Sequence, residues 1–203
     1  MFDRSCITPI EVRTTAPCSC RGAARFRSVD DAVAWAFGYP PVCKVSNAVA
    51  NLRGGSVRLK VERRDPYDNA AEAGLILRIV FRELKPDELV MVVGRHTVDS
   101  TTQKLDCVAR ILELARPQFA RVPWAYFREC VAAWCRLAQM RSDLRWADAL
   151  DVDPRTIRSW RRGYRARGRR SPGIWSELDR RLQCAYDQVS PALADAGWIE
   201  GTS

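Results

Sequence analysis

Residues 145–163 read RWADALDVDPRTIRSWRRG, and the spacing of apolar residues in this stretch predicts two short helices, at about 144–150 and 154–164, joined by a tight turn. Where two helices cross steeply a small residue is needed, and Ala147 fills that place. Leu150 and Val152 flank the turn and fill the space between the helices. Asp153 is a natural N-cap, with a side-chain oxygen for the unpaired N–H groups of a first helical turn. Pro154 follows at the one position where a helix needs no N–H. Asp151 occupies a turn position often filled by Gly, and its short polar side chain tolerates left-handed backbone. Ile157 and Trp160, three apart, turn one face of the second helix back toward a core. What that helix leaves exposed is Arg155, Arg158, Ser159 and Arg162.

The charge around this stretch is unusual. The chain has 203 residues with 33 Lys and Arg against 24 Asp and Glu, a net charge of +9. Of the basic residues 29 are Arg, a ratio that codon usage alone can produce. Codon usage does not explain their placement. Eight Arg and no acid fall between positions 155 and 170, while the rest of the chain holds 25 basic and 24 acidic residues. A cluster of like charges repels itself until a polyanion neutralises it, so the segment points to phosphate backbones.

Helical periodicity extends outward from this stretch. Residues 28–37 form a helix with Ser28 as cap and Val29, Ala32, Val33 and Ala36 on one face. From Asp65 the pattern is helical throughout: a stripe through Leu75, Ile76, Ile79, Val80 and Leu84, a second helix from Pro86 to His96, and a third through Cys107, Ile111 and Leu114. A long helix is predicted over 124–140 and a last one over 173–196, which Pro191 should kink or restart. Residues 165–172 read as a basic, Gly-containing linker. The expectation is an all-α, multi-helix domain at 65–203 with the helix pair at 144–164. An irregular N-terminal region with one short helix precedes it at 1–64. At most one minor β element is expected, from the alternation of Val57, Leu59 and Val61.

Other residue groups exclude more than they suggest. No stretch approaches 18 consecutive apolar residues, so no membrane span is expected. The N-terminus lacks the apolar core of a signal peptide, which makes the cytoplasm the expected location. Cys6, Cys18, Cys20 and Cys43 could supply four thiolates to one zinc ion. No C-x-x-C pair occurs among them, and they read as ordinary reduced thiols, so no cofactor is expected. Cys107, Cys130, Cys135 and Cys184 read as small buried hydrophobes. The seven Trp read as core. His96, the only His, reads as a cation at a helix C-terminus, and one His cannot populate both a hydrolase triad and a metal site. Asp65, Asp68, Glu72 and Glu83 could suggest a two-metal site, but acids in the first turn of a helix need no metal to explain them. Gly54-Gly55 is not followed by Gly-Lys-Ser/Thr and is no phosphate loop. A binding protein is expected, not an enzyme.

Residues 145–163 resemble the helix-turn-helix of bacterial and phage regulators. The resemblance implies a partner, double-stranded DNA, with Arg155, Arg158, Ser159 and Arg162 reading base edges in the major groove. Arg161, Arg165, Arg167, Arg169 and Arg170 would then contact phosphates. A looser likeness covers more of the chain. Residues 84–96, LKPDELVMVVGRH, are similar to the helix that precedes the motif in sigma-factor region four and in phage late-gene antitermination proteins. Residues 178–200, closing in Ala196-Gly197-Trp198-Ile199, are similar to the C-terminal helix of small phage proteins of that type. This implies transcription regulation, contact with RNA polymerase by the helices of 60–140, and residence in a host cytoplasm. Three other roles stay open: the DNA-recognition subunit of a recombinase or packaging machine, a nuclease using the motif for targeting, and a module whose Arg segment binds an acidic protein.

Overall fold

Side chains with hydrogen-bonding oxygens start several of the helices. Ser28 accepts from the Asp31 amide at 3.1 Å and opens α1 (Val29–Gly38). After α2 (Pro66–Glu83), the Glu88 carboxylate reaches back to the Lys85 amide at 3.0 Å and opens α3 (Pro86–His96). The chain continues through α4 (Thr101–Ala115), a 3-10 turn (Arg116–Phe119) and α5 (Trp124–Trp134). Ser142 caps α6 (Asp143–Leu150) and Asp153 caps α7 (Pro154–Arg162). Strands β1 (Gly163–Ala166) and β2 (Arg169–Pro172) lead into α8 (Ile174–Asp195). This computed structural model describes residues 25–38, 66–97, 101–166 and 169–200, and it bears out an all-α fold with one minor β element.

The long α8 is the hub. Ile174, Leu178, Leu182, Ala185, Tyr186, Val189 and Leu193 are buried along it, and it packs against α1, α2, α3, α5 and α7. It runs through Pro191 to Asp195 without restarting. Asp187, whose carbonyl loses its partner to the proline, is exposed, and so is Pro191. Helix α1 shares this core: it touches α2, α3 and α8, and the Phe26 amide donates to the Trp198 carbonyl at 3.0 Å beside a Phe26–Ile199 parallel bridge. A boundary at 64/65 therefore does not separate α1 from the helical body. Among the described residues no helix is long and apolar enough to cross a membrane.

Four expectations need correction. The helix predicted over 124–140 stops at Trp134, because Arg136 adopts left-handed backbone (φ 57°). The Leu137 amide then bonds the Ala132 carbonyl at 2.9 Å, and the Arg136 amide bonds Ala133 at 3.0 Å, closing the helix as Gly usually does. Residues 165–166 and 169–172 are not a linker but lie in two paired antiparallel strands. Cys184 is exposed, whereas Cys107, Cys130 and Cys135 are buried, and burial pushes the thiols of Cys130 and Cys135 up to about 12. Most Trp pack in or against the core, but Trp124 is 47% exposed beneath the Arg116 guanidinium.

His96 also departs from its expected role as a helix-end cation. Burial lowers its pKa to about 4, opposed by nearby Asp30 and assisted by Arg136, Arg95 and Lys104. The Tyr186 hydroxyl donates to Asp30 at 2.6 Å and lies 2.5 Å from His96 Nε2. A hydroxyl has one proton to give, so the neutral ring must carry its proton on Nε2 and donate it to Tyr186. The expected β alternation at 57–61, Asp65, Cys6, Cys18, Cys20 and Cys43 all lie outside the described residues. Within them no group of His, Cys, Asp or Glu is placed to hold a metal.

Candidate nucleic-acid interface

The turn between α6 and α7 forms as its residues dictate. Ala147 and Ile157 are buried at the crossing. Asp151 takes the left-handed conformation (φ 51°, ψ 51°), and its amide and that of Val152 both bond the Ala147 carbonyl. Asp153 Oδ1 accepts from the Arg155 amide at 2.6 Å. Helix α7 is then held from behind. The buried Tyr126 hydroxyl on α5 donates to the Ile157 carbonyl at 3.1 Å, and its ring meets Trp160 and the edge of Trp146. Trp146 donates from Nε1 to Glu129 on α5 at 2.9 Å, which fixes α6 to the same support. Ser176 at the start of α8 donates to the Arg162 carbonyl at 3.1 Å. These contacts leave α7 little freedom to shift.

Arg155, Arg158 and Arg162 are exposed, and at 100° per residue they fall within an arc of about 60° on the side away from Ile157. Among the described residues the side chains of Arg155 and Arg162 have no ion-pair or hydrogen-bond partner. Ser159 is half-buried and gives its proton to the Thr156 carbonyl at 2.7 Å, leaving its oxygen as an acceptor. Arg161 does not lie on an open flank. Its side chain is 14% exposed, donates to Asp143 Oδ2 at 2.8 Å, and packs over Trp175 with its guanidinium carbon 5.1 Å from the ring centroid. It sits four residues after Ile157 and so shares the inward face. The same Asp143 oxygen lies 3.8 Å from Arg158 Nε, whose side chain is 59% exposed.

The basic segment that follows is an antiparallel hairpin. Gly163 pairs with Pro172, Tyr164 with Ser171, Arg165 with Arg170, and Ala166 with Arg169; Arg167 lies outside the described residues. The base of the hairpin is tight. Gly163 has φ +85°, and a Cβ there would run into the Ser171 carbonyl. A Cβ on Gly173 would run into the Gly163 amide and the backbone of Arg161 and Arg162. Glycine at both positions lets β1, α7 and α8 meet this closely. The signal in the sequence is symmetrical: Gly163 and Gly173 stand at equal distances from Gly168, within a stretch without helical periodicity. Comparison of the chain with protein-family models, with curated proteins and with solved structures found no match.

Proposed function

We propose that this chain binds double-stranded DNA sequence-specifically, as a regulator of transcription, with α7 in the major groove and the β1–β2 hairpin beside it on the duplex. The observation that carries this is the exposed arc of Arg155, Arg158 and Arg162 on a helix braced from three sides. Exposed guanidinium groups at helical spacing can pair bidentately with guanine O6 and N7, and bracing keeps the pairing geometry fixed. The hairpin adds the backbone positions of Arg165, Arg169 and Arg170 immediately beyond α7, where phosphate contact would set register. The likeness of residues 84–96 and 178–200 to late-gene antitermination proteins supports the narrower proposal that helices between residues 60 and 140 face RNA polymerase.

The test is selection from a random duplex pool with the full chain. Enrichment of one motif, retained against excess plain duplex, is the expected result. Failure to retain any duplex, or binding that an acidic polypeptide displaces more readily than DNA does, overturns the proposal.

A further inference from the structure

One acid stands against the basic face. Asp143 is the first residue of α6, and its side chain is 17% exposed. Its Oδ1 is enclosed and has no hydrogen-bond partner among the described residues, so Oδ2 is the atom through which it acts. That oxygen meets two guanidinium groups from successive turns of α7: Arg161 at 2.8 Å, largely covered, and Arg158 at 3.8 Å, largely exposed. Arg161 is fixed by the ion pair, by Trp175 and by Met140, whose Sδ lies 3.8 Å from Nη1. Arg158 is only tethered. Its Nε end lies near the carboxylate while the terminal nitrogens remain free to reach a ligand.

We propose that Asp143 is a positioning residue for DNA recognition, holding Arg158 toward base edges and away from phosphates. This rests on α7 being the recognition helix. A free Arg side chain samples many rotamers, and near a duplex the phosphates compete with base edges for it. A carboxylate at the root of the guanidinium restricts those rotamers and repels phosphate from the same spot. Arg161 neutralises most of the carboxylate charge, so the tether stays weak enough for Arg158 to bind a base. Specificity then depends on an acid that touches no nucleotide.

The experiment compares wild type, Asp143→Asn, Asp143→Glu, Arg158→Ala and the Asp143→Asn/Arg158→Ala pair. Each is titrated against the wild-type selected site and a scrambled duplex at several salt concentrations. Asp143→Asn should bind the scrambled duplex about threefold to tenfold more tightly, with a salt slope steeper by about one phosphate contact, roughly 0.9. Its preference for the selected site should fall about tenfold, Asp143→Glu should restore part of it, and in the Arg158→Ala background Asp143→Asn should leave preference unchanged. Parallel weakening on both duplexes, or a loss of preference that persists without Arg158, overturns the positioning role while leaving the DNA-binding proposal intact. If wild type retains no duplex, both fall. Should Asp143→Asn unfold because Arg161 loses its partner, Asp143→Asn/Arg161→Gln removes both charges and carries the same comparison.

Discussion

Arg158 and Arg161 are both Arg, three positions apart, and about 60° of rotation around α7 gives them opposite surroundings. Arg158→Ala should leave stability within about 0.5 kcal/mol and relax preference at one base pair by about 1–3 kcal/mol. Arg161→Ala should instead destabilise the fold by about 2–3 kcal/mol, because it leaves the largely covered Asp143 carboxylate with only the longer Arg158 contact. Thermal unfolding beside binding to a base-substituted panel separates the two. Spacing alone could have placed Arg161 inward, four after Ile157, but charge reads as exposed until a partner is known. That partner, Asp143, is 18 residues earlier, and no periodicity reveals a pairing made by tertiary packing. His96 is a similar case. Because its pKa is lowered to about 4, the unfolded chain takes up a proton between pH 6.5 and pH 4 that the native chain refuses. Its contribution is therefore complete above pH 6.5 and shrinks as pH falls toward 4. Urea unfolding at pH 7 and pH 4.5 should show the decline, and His96→Gln should flatten it. Glu177, held down to about 2 chiefly by its hydrogen bond from Arg180, begins its own loss near pH 4.5, at the foot of that window, and the His96→Gln comparison separates the two.

At the level of elements, starts were more legible than ends. Caps at Ser28 and Asp153 are local chemistry, readable from a few residues, and both open helices as expected. The end of α5 was not readable, because Arg136 does by left-handed backbone what Gly normally does. The hairpin was missed for a related reason: strands of four residues crowded with Arg give no apolar alternation to find. Its glycines now carry a prediction. Gly173→Ala cannot be accommodated beside Gly163 without moving backbone, and it should cost at least about 2 kcal/mol. It should also weaken DNA binding well beyond the loss of folded protein, since it moves the hairpin relative to α7. Circular dichroism melts with duplex titration below the melting point check this. Gly38→Ala, where a Cβ meets nothing within 4 Å, is the matching control.

For the whole molecule, the sequence reading was right about fold class but did not show how α1 joins the core. Helix α1 looked like part of an N-terminal appendage because 27 residues separate it from α2, yet its buried face belongs to the common core. Distance along the chain carries little information about which helix faces meet. Removing Arg161 from the five Arg expected to contact phosphate leaves four, so log K against log salt should have a slope of about −4. Affinity measured from low to moderate salt checks it. A slope near zero would remove the electrostatic basis of binding.

The Phe26–Ile199 bridge has a topological consequence. It closes the sequence of helices into a ring, with α1 clasped to α8 by main-chain bonding, by Tyr186 to Asp30 and by apolar packing. A ring stays whole when one link is opened. A single peptide cleavage between α1 and α2 would turn α1 into a non-covalent subunit of the same fold, kept in place by the contacts that hold it now.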